Sequence, residues 1–159
     1  EEILLAYMEK YNVPICIIRP YSVYGPTEQS QHLIPTIINS CIKGTQMNFV
    51  PEPVHDYIYI DDLVDGILSL SQHGARGIFE LGCGKSYTNQ QVLETIEDIL
   101  RKKANINVVE SMRNYDNQEW VSTNFKARMY GRQPKPSLRE GLEKEIEYFI
   151  EVEKYSKMK

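Results

Sequence analysis

Three short stretches of the sequence hold side chains that could bind or transform a small ligand. The first is Arg19-Pro20-Tyr21-Ser22-Val23-Tyr24-Gly25-Pro26, which follows the apolar run Pro14-Ile15-Cys16-Ile17-Ile18. A β-branched run of that kind, led in by Asn12 and Pro14, predicts a buried strand. A chain that leaves it through Arg-Pro and stops at Gly25-Pro26 turns sharply, and in open α/β sheets ligands sit outside the carboxyl ends of strands. The second stretch, His55-Asp56-Tyr57, sets an imidazole, a carboxylate and a phenol side by side just after Pro51 and Pro53. It reads equally as a ligand contact and as a loop that starts a strand. The third holds Arg113 and Asp116, beside Tyr115 and Trp120, in a polar irregular segment. There the arginine is either an ordinary surface charge or a bidentate grip on phosphate.

Other groups point less sharply to chemistry. Gly82-Cys83-Gly84 is a glycine turn after a strand; it lacks the further glycine of a dinucleotide fingerprint, so a plain turn outweighs a phosphate cradle. Asp61-Asp62 could be an acid pair, but a helix cap with a first-turn acid explains it more simply. The sequence contains no P-loop, G-x-S-x-G or H-E-x-x-H. Its three cysteines have no C-x-x-C spacing and its three histidines no i,i+4 pairing, so no metal site is expected. Free thiols suit a cytoplasmic protein. A formal net charge of -4 gives no field for nucleic acid, and no apolar run reaches the ~20 residues of a membrane span.

The elements that must hold these groups alternate. Glu2 to Tyr11 reads as the tail of a helix, the strand follows at 15–18, and residues 33–42 repeat apolar side chains at intervals of three and four up to Lys43-Gly44. Met47 to Val50 is a short strand. Asp56 to Ile60 precedes a helix capped by Asp61, with Leu63, Val64, Ile67, Leu68 and Leu70 on its inner face. Ile78 to Leu81 is a strand, Thr88 caps a helix carrying Val92, Leu93, Ile96, Ile99 and Leu100, and Ile106 to Val109 is a strand. A short helix from Thr123 or Asn124 ends at Gly131. Ser137 caps a last helix to about Glu153 with Leu142, Ile146, Phe149 and Ile150 inward. Alternation of this kind predicts an α/β fold.

In their order along the chain, these pieces resemble one family. Ile18 to Pro26 is similar to the R-x-x-N-V-Y-G-P segment of the extended short-chain dehydrogenase/reductases, the NAD-dependent nucleotide-sugar epimerases and dehydratases. Leu33-Ile34-Pro35 resembles the family's hydrophobic-I/M-P. His55 to Asp62 resembles R-D-F-I-Y-V-D-D, and Phe79 to Gly84 resembles Y-N-I-G-S-G. Tyr130 to Leu142 resembles L-G-W-x-P-x-x-S-L-x-E-G-L.

The resemblance implies an α/β chain that holds the last part of an NAD-binding Rossmann fold plus a small α/β substrate-binding domain. Residues 1–26 would end the Rossmann domain and cross over; residues 27–159 would be mainly the substrate domain, with 56–72 returning to the Rossmann core. The implied cofactor is NAD, with NADP as the alternative. The implied partners are a nucleotide-sugar substrate and, in the intact enzyme, a second subunit. Pro20, Tyr21 and Ser22 would lie near the nicotinamide. Ser22, His32, Leu33, Asn48, Val50, His55, Arg113 and Asp116 would contact the substrate. Asn48 and Val50 would sit beside the base, His32 and Leu33 near diphosphate and sugar, Arg113 on diphosphate and Asp116 on ribose.

Two departures matter. Ser22 stands where the family often has Asn, and His55 where it usually has a diphosphate-gripping Arg. An imidazole is fully charged only below its pKa, ~6.5 unperturbed, so diphosphate binding is expected to be weaker or pH-dependent. No catalytic residue is expected in this chain, because the family's Tyr-x-x-x-Lys pair would fall just before Glu1. Tyr155 and Lys159 match its spacing only by chance, at a terminal helix. A non-catalytic nucleotide-sugar-binding or scaffold module is the alternative.

Overall fold

The computed structural model describes residues 1–111, 120–133 and 137–157. Helix α1 (Glu2–Tyr11) ends where Asn12 adopts a left-handed conformation, φ 52°. Strands β1 (Cys16–Pro20) and β2 (Ser22–Tyr24) follow, then α2 (Leu33–Lys43) and β3 (Met47–Phe49). Strands β4 (Val54–His55) and β5 (Tyr57–Tyr59) lead straight into α3 (Ile60–Gln72). After β6 (Gly77–Leu81) and β7 (Tyr87–Thr88) come α4 (Asn89–Leu100) and β8 (Ile106–Val108). The described chain closes with α5 (Phe125–Met129) and α6 (Leu138–Lys157).

The strands pair two by two. β1 with β6, β2 with β5 and β3 with β8 are parallel; β4 with β7 is antiparallel. Two cores result. The first gathers Ile34, Ile37 and Ile38 of α2, Phe49, Val92 and Ile96 of α4, and Leu142 of α6. The second joins Ile58, Leu63, Leu70, Phe79, Leu81 and Ala127. The helices with the clearest three-and-four spacing, α2 and α4, bury the predicted faces. Gly44, at φ 73°, closes α2 by donating its N–H to Ser40 O. Thr88 and Gln91 form a reciprocal capping box at the start of α4. Ser137 and Glu140 do the same for α6, with Ser137 N donating to Glu140 Oε2 at 2.7 Å.

Four expectations need correction, the simplest being Ile150 of α6, which is expected inward and is exposed. The run at 15–18 does form a strand, but only Ile17 is buried; Cys16 and Ile18 are half-buried, because β6 is its one partner among the described residues. Asp61 does not cap α3. Helical backbone starts at Ile60 directly after β5, so Tyr59 is the cap and both Asp61 and Asp62 fall in the first turn. The inner face of α3 is narrower than predicted: Leu63 and Leu70 are buried, whereas Val64, Ile67 and Leu68 are exposed. Ile3, Leu4 and Tyr7 of α1 are exposed as well.

Candidate functional site

A cleft of about 720 Å³ brings together Ser22, His32, Leu33, Asn48, Val50 and His55, residues that lie up to 33 positions apart in sequence. Parallel pairing does the gathering. The β2–β5 register sets Ser22 opposite Tyr57, two residues from His55, and the Ser22 N–H donates to Asp56 O at 3.0 Å. The β3–β8 register sets Asn48 opposite Asn107, whose Nδ2 donates to Asn48 Oδ1 at 3.0 Å. His32 is held by Glu28, Nδ1 to Oε1 being 3.0 Å. Pro20 and Tyr21 lie at the carboxyl end of β1; Pro20 is exposed, and the Tyr21 N–H is tied to Leu81 O. Arg113 and Asp116 lie outside the described residues.

The wall beside His55 is built by a residue that the motifs did not single out. Asn89 opens α4 and holds both sides of the 50–57 segment. Its Oδ1 accepts from Tyr57 OH at 3.0 Å, its Nδ2 donates to Val50 O at 2.9 Å and its backbone N–H donates to Pro53 O at 2.9 Å. The His55 and Tyr57 rings meet edge-on, 5.7 Å apart, and the backbone of Trp120 forms an isolated parallel β-bridge with that of His55. Burial raises the Tyr57 phenol, so it serves here as a neutral donor.

The middle residue of His55-Asp56-Tyr57 turns away from the ligand side. Asp56 is fully buried, and its carboxylate accepts the backbone N–H groups of Cys83 at 2.6 Å, Gly84 at 3.0 Å and Ser122 at 3.0 Å. The Gly82-Cys83-Gly84 turn therefore cradles an internal carboxylate, and its amides are not open to a phosphate. Only glycine fits at position 82, since a Cβ there would stand 2.2 Å from Asp56 Oδ2. Burial and the Asp56 charge push the Cys83 thiol up to about 12, which keeps it protonated and unreactive. Arg132 completes this hub, pairing with Asp62 at 3.0 Å and donating to Gly82 O at 2.8 Å and Asn124 Oδ1 at 2.6 Å. The one sequence signal for Arg132 is that it replaces the Trp of the L-G-W-x-P pattern.

A larger groove, about 1200 Å³ between α3, α4 and α6, holds none of the expected binding residues. Asp61 belongs to it and pairs there with Lys144 at 3.2 Å. Among the described residues, no three His, Cys, Asp or Glu side chains gather for a metal, and no helix is long and apolar enough to cross a membrane.

Glu145 of α6 is the exception to local pairing. It is fully buried, neither oxygen has a hydrogen-bond partner, and burial, then the Glu28 charge, raise its carboxyl from 4.5 to about 7. The folded state thus resists ionising it. This penalty is absent below the ordinary carboxylate pKa, grows as pH rises to about 7 and is constant above. By linkage it reaches about 3 kcal/mol. Glu145→Gln is expected to raise stability at pH 8 relative to pH 5 by about 2–3 kcal/mol compared with the parent, measured by urea unfolding at both pH values. Equal pH dependence in parent and variant would remove Glu145 as its source.

Comparison with known proteins gives this arrangement a family. The NAD dependent epimerase/dehydratase family profile matches residues 1–82. The chain is 31% identical over 140 residues to dTDP-4-dehydro-6-deoxyglucose reductase of Escherichia coli, covering 85% of this chain and 44% of that protein. It is 24% identical to UDP-glucuronic acid decarboxylase 3 of Arabidopsis thaliana, covering 89% of this chain and 43% of that one. In fold it is similar to a UDP-N-acetylglucosamine 4-epimerase from Methanobrevibacter ruminantium M1, solved in complex with UDP-N-acetylmuramic acid. The TM-score is 0.87 at 20% identity, over 96% of this chain and 51% of that one. The chain thus spans about half the length of the curated relatives it matches. Since the profile match covers 82 of its 159 residues, more than half, the chain belongs to the NAD-dependent epimerase/dehydratase family.

Proposed function

We propose that this chain is the substrate-binding half of an NAD-dependent nucleotide-sugar epimerase or dehydratase. One observation carries the reading: a single cleft collects Ser22, His32, Leu33, Asn48, Val50 and His55, every described residue expected to touch the substrate. Asn48, Val50 and Val109 offer one amide and two apolar side chains for a base, and Ser22 and His32 offer hydrogen bonds for sugar and phosphate. Arg113 and Asp116 are assigned to diphosphate and ribose on the resemblance alone. The division into 1–26 with 56–72 and the rest of 27–159 rests on the resemblance, because Tyr24, Tyr57 and Tyr59 pack in one core with α2, α4 and α6.

Pro20, Tyr21 and Ser22 fit one edge of a nicotinamide site, because they form a tethered, partly exposed strip at the carboxyl end of a parallel strand. NAD, when bound, would supply hydride transfer from and back to a sugar carbon. On this reading the described residues of the chain bind and orient the substrate, and the proton-transfer groups of that chemistry belong to the other half. Tyr155, the only tyrosine here with a lysine four residues on, is exposed near the end of α6.

The expected result is binding without turnover. Titration calorimetry of the chain should show saturable binding of UDP-glucose or dTDP-glucose, weakened about tenfold by Arg113→Ala and by His55→Ala, each replacing a phosphate contact. Incubation with NAD and the same sugar should give no epimer, dehydrated product or NADH absorbance. Binding unchanged in both variants would remove these residues from the site, and turnover by the chain alone would overturn its assignment as a non-catalytic half.

A further inference from the structure

We infer that Glu28 makes the sugar end of the cleft discriminate against acidic sugars, so that it accepts a neutral, hydroxyl-bearing nucleotide sugar over a uronate. The inference rests on the nucleotide-sugar reading above. Glu28 stands between β2 and α2 and lines the cleft with Ser22 and His32. One of its oxygens lies 3.0 Å from His32 Nδ1; the other is buried with no hydrogen-bond partner. Its side chain is 13% exposed, so solvent screens its charge weakly.

The Glu28 charge reaches its neighbours: after burial, it raises the carboxyl of Glu145 on α6 and the phenol of Tyr57, the register partner of Ser22. Glu110 adds a second carboxylate to the lining. Among the described residues, that lining contains no Lys or Arg. The charged groups of this lining are therefore the carboxylates of Glu28 and Glu110, with the imidazole of His32 on Glu28. A neutral sugar brings no charge to this wall, whereas a sugar carboxylate meets like charge that solvent screens weakly.

The test is calorimetric titration of the chain at pH 8 with the glucose and glucuronate conjugates of UDP and of dTDP, and with free UDP and dTDP. For the nucleotide that binds, the glucose conjugate should bind at least tenfold more tightly than the glucuronate. Glu28→Gln should narrow that gap to threefold or less, read as the ratio of the two conjugates of one nucleotide so that any change in binding of the shared nucleotide cancels. Glu28→Asp, which keeps the charge, should retain most of the gap. Glucuronate binding as tight as glucose, or a gap unchanged in Glu28→Gln, would overturn the role of Glu28 and leave the nucleotide-sugar reading standing. No binding of any of the six ligands would overturn that reading itself.

Discussion

Asp56→Ala is expected to lower the unfolding free energy by about 4–6 kcal/mol, enough to unfold much of a chain whose total stability is in the usual range of about 5–15 kcal/mol. The loss comes from buried donors left unsatisfied. Asp56 is fully buried and receives three backbone N–H groups, from Cys83, Gly84 and Ser122. A hydrogen bond to a charged acceptor contributes about 1.5–3 kcal/mol, and a buried donor left alone costs about 1–3 kcal/mol. Alanine removes all three acceptor contacts and lets no other side chain reach them. Asp56→Asn should cost less, about 2–3 kcal/mol, because its carbonyl still accepts while its amide meets N–H groups as another donor. Urea unfolding followed by circular dichroism measures both. A loss below about 1 kcal/mol for Asp56→Ala would mean that water or relaxation replaces the carboxylate. Gly82→Ala tests the same contact from the other side, since its Cβ would press on Asp56 Oδ2.

That result would also explain why His55-Asp56-Tyr57 was ambiguous in sequence. Three adjacent residues on an extended segment point in alternating directions, so a ligand group and a structural carboxylate stand side by side. His55 lines the cleft, and Asp56 faces the 82–84 turn. Local pattern was informative where the partner was local. The spacing in α2 and α4 located their buried faces, and Thr88 located a cap whose partner, Gln91, is three residues away. It failed where the partner was remote. Nothing in 15–18 shows that, among the described residues, β6 alone pairs with β1, and nothing in the apolar spacing of α3 shows that Val64, Ile67 and Leu68 stay exposed. The cleft depends on parallel pairings between strands far apart in sequence, β2 with β5 and β3 with β8. Periodicity carries no information on those registers. Glu28 and Asn89 belong to no motif, and each acquires its place only through folded neighbours.

Arg132→Met is expected to cost about 3–5 kcal/mol, and Arg132→Lys about half as much. Arg132 is 4% exposed and sits among three acceptors: Asp62 Oδ2, Gly82 O and Asn124 Oδ1. Burial lowers its pKa despite the carboxylate beside it, so desolvation outweighs the attraction of Asp62. A guanidinium in that position does not stabilise the fold by charge alone; it holds three elements together because its planar fork reaches several acceptors at once. Lysine keeps the charge but offers one compact ammonium, which fits Asp62 and gives up part of the contact with Gly82 and Asn124. Methionine fills the volume and satisfies none of them. Asn124 also donates no hydrogen bond through its Nδ2, so its orientation rests on Oδ1, which Gly82 N and Arg132 share. The consequence reaches the cleft, because the segment that begins at Trp120 and passes Ser122 and Asn124 borders His55. Trp120 is the chain's single tryptophan, so its emission reports that border directly. In urea, the Trp120 fluorescence transition of both variants should shift to lower denaturant in the order methionine before lysine. Equal midpoints for parent and Arg132→Lys would show that charge, not the fork, holds the hub.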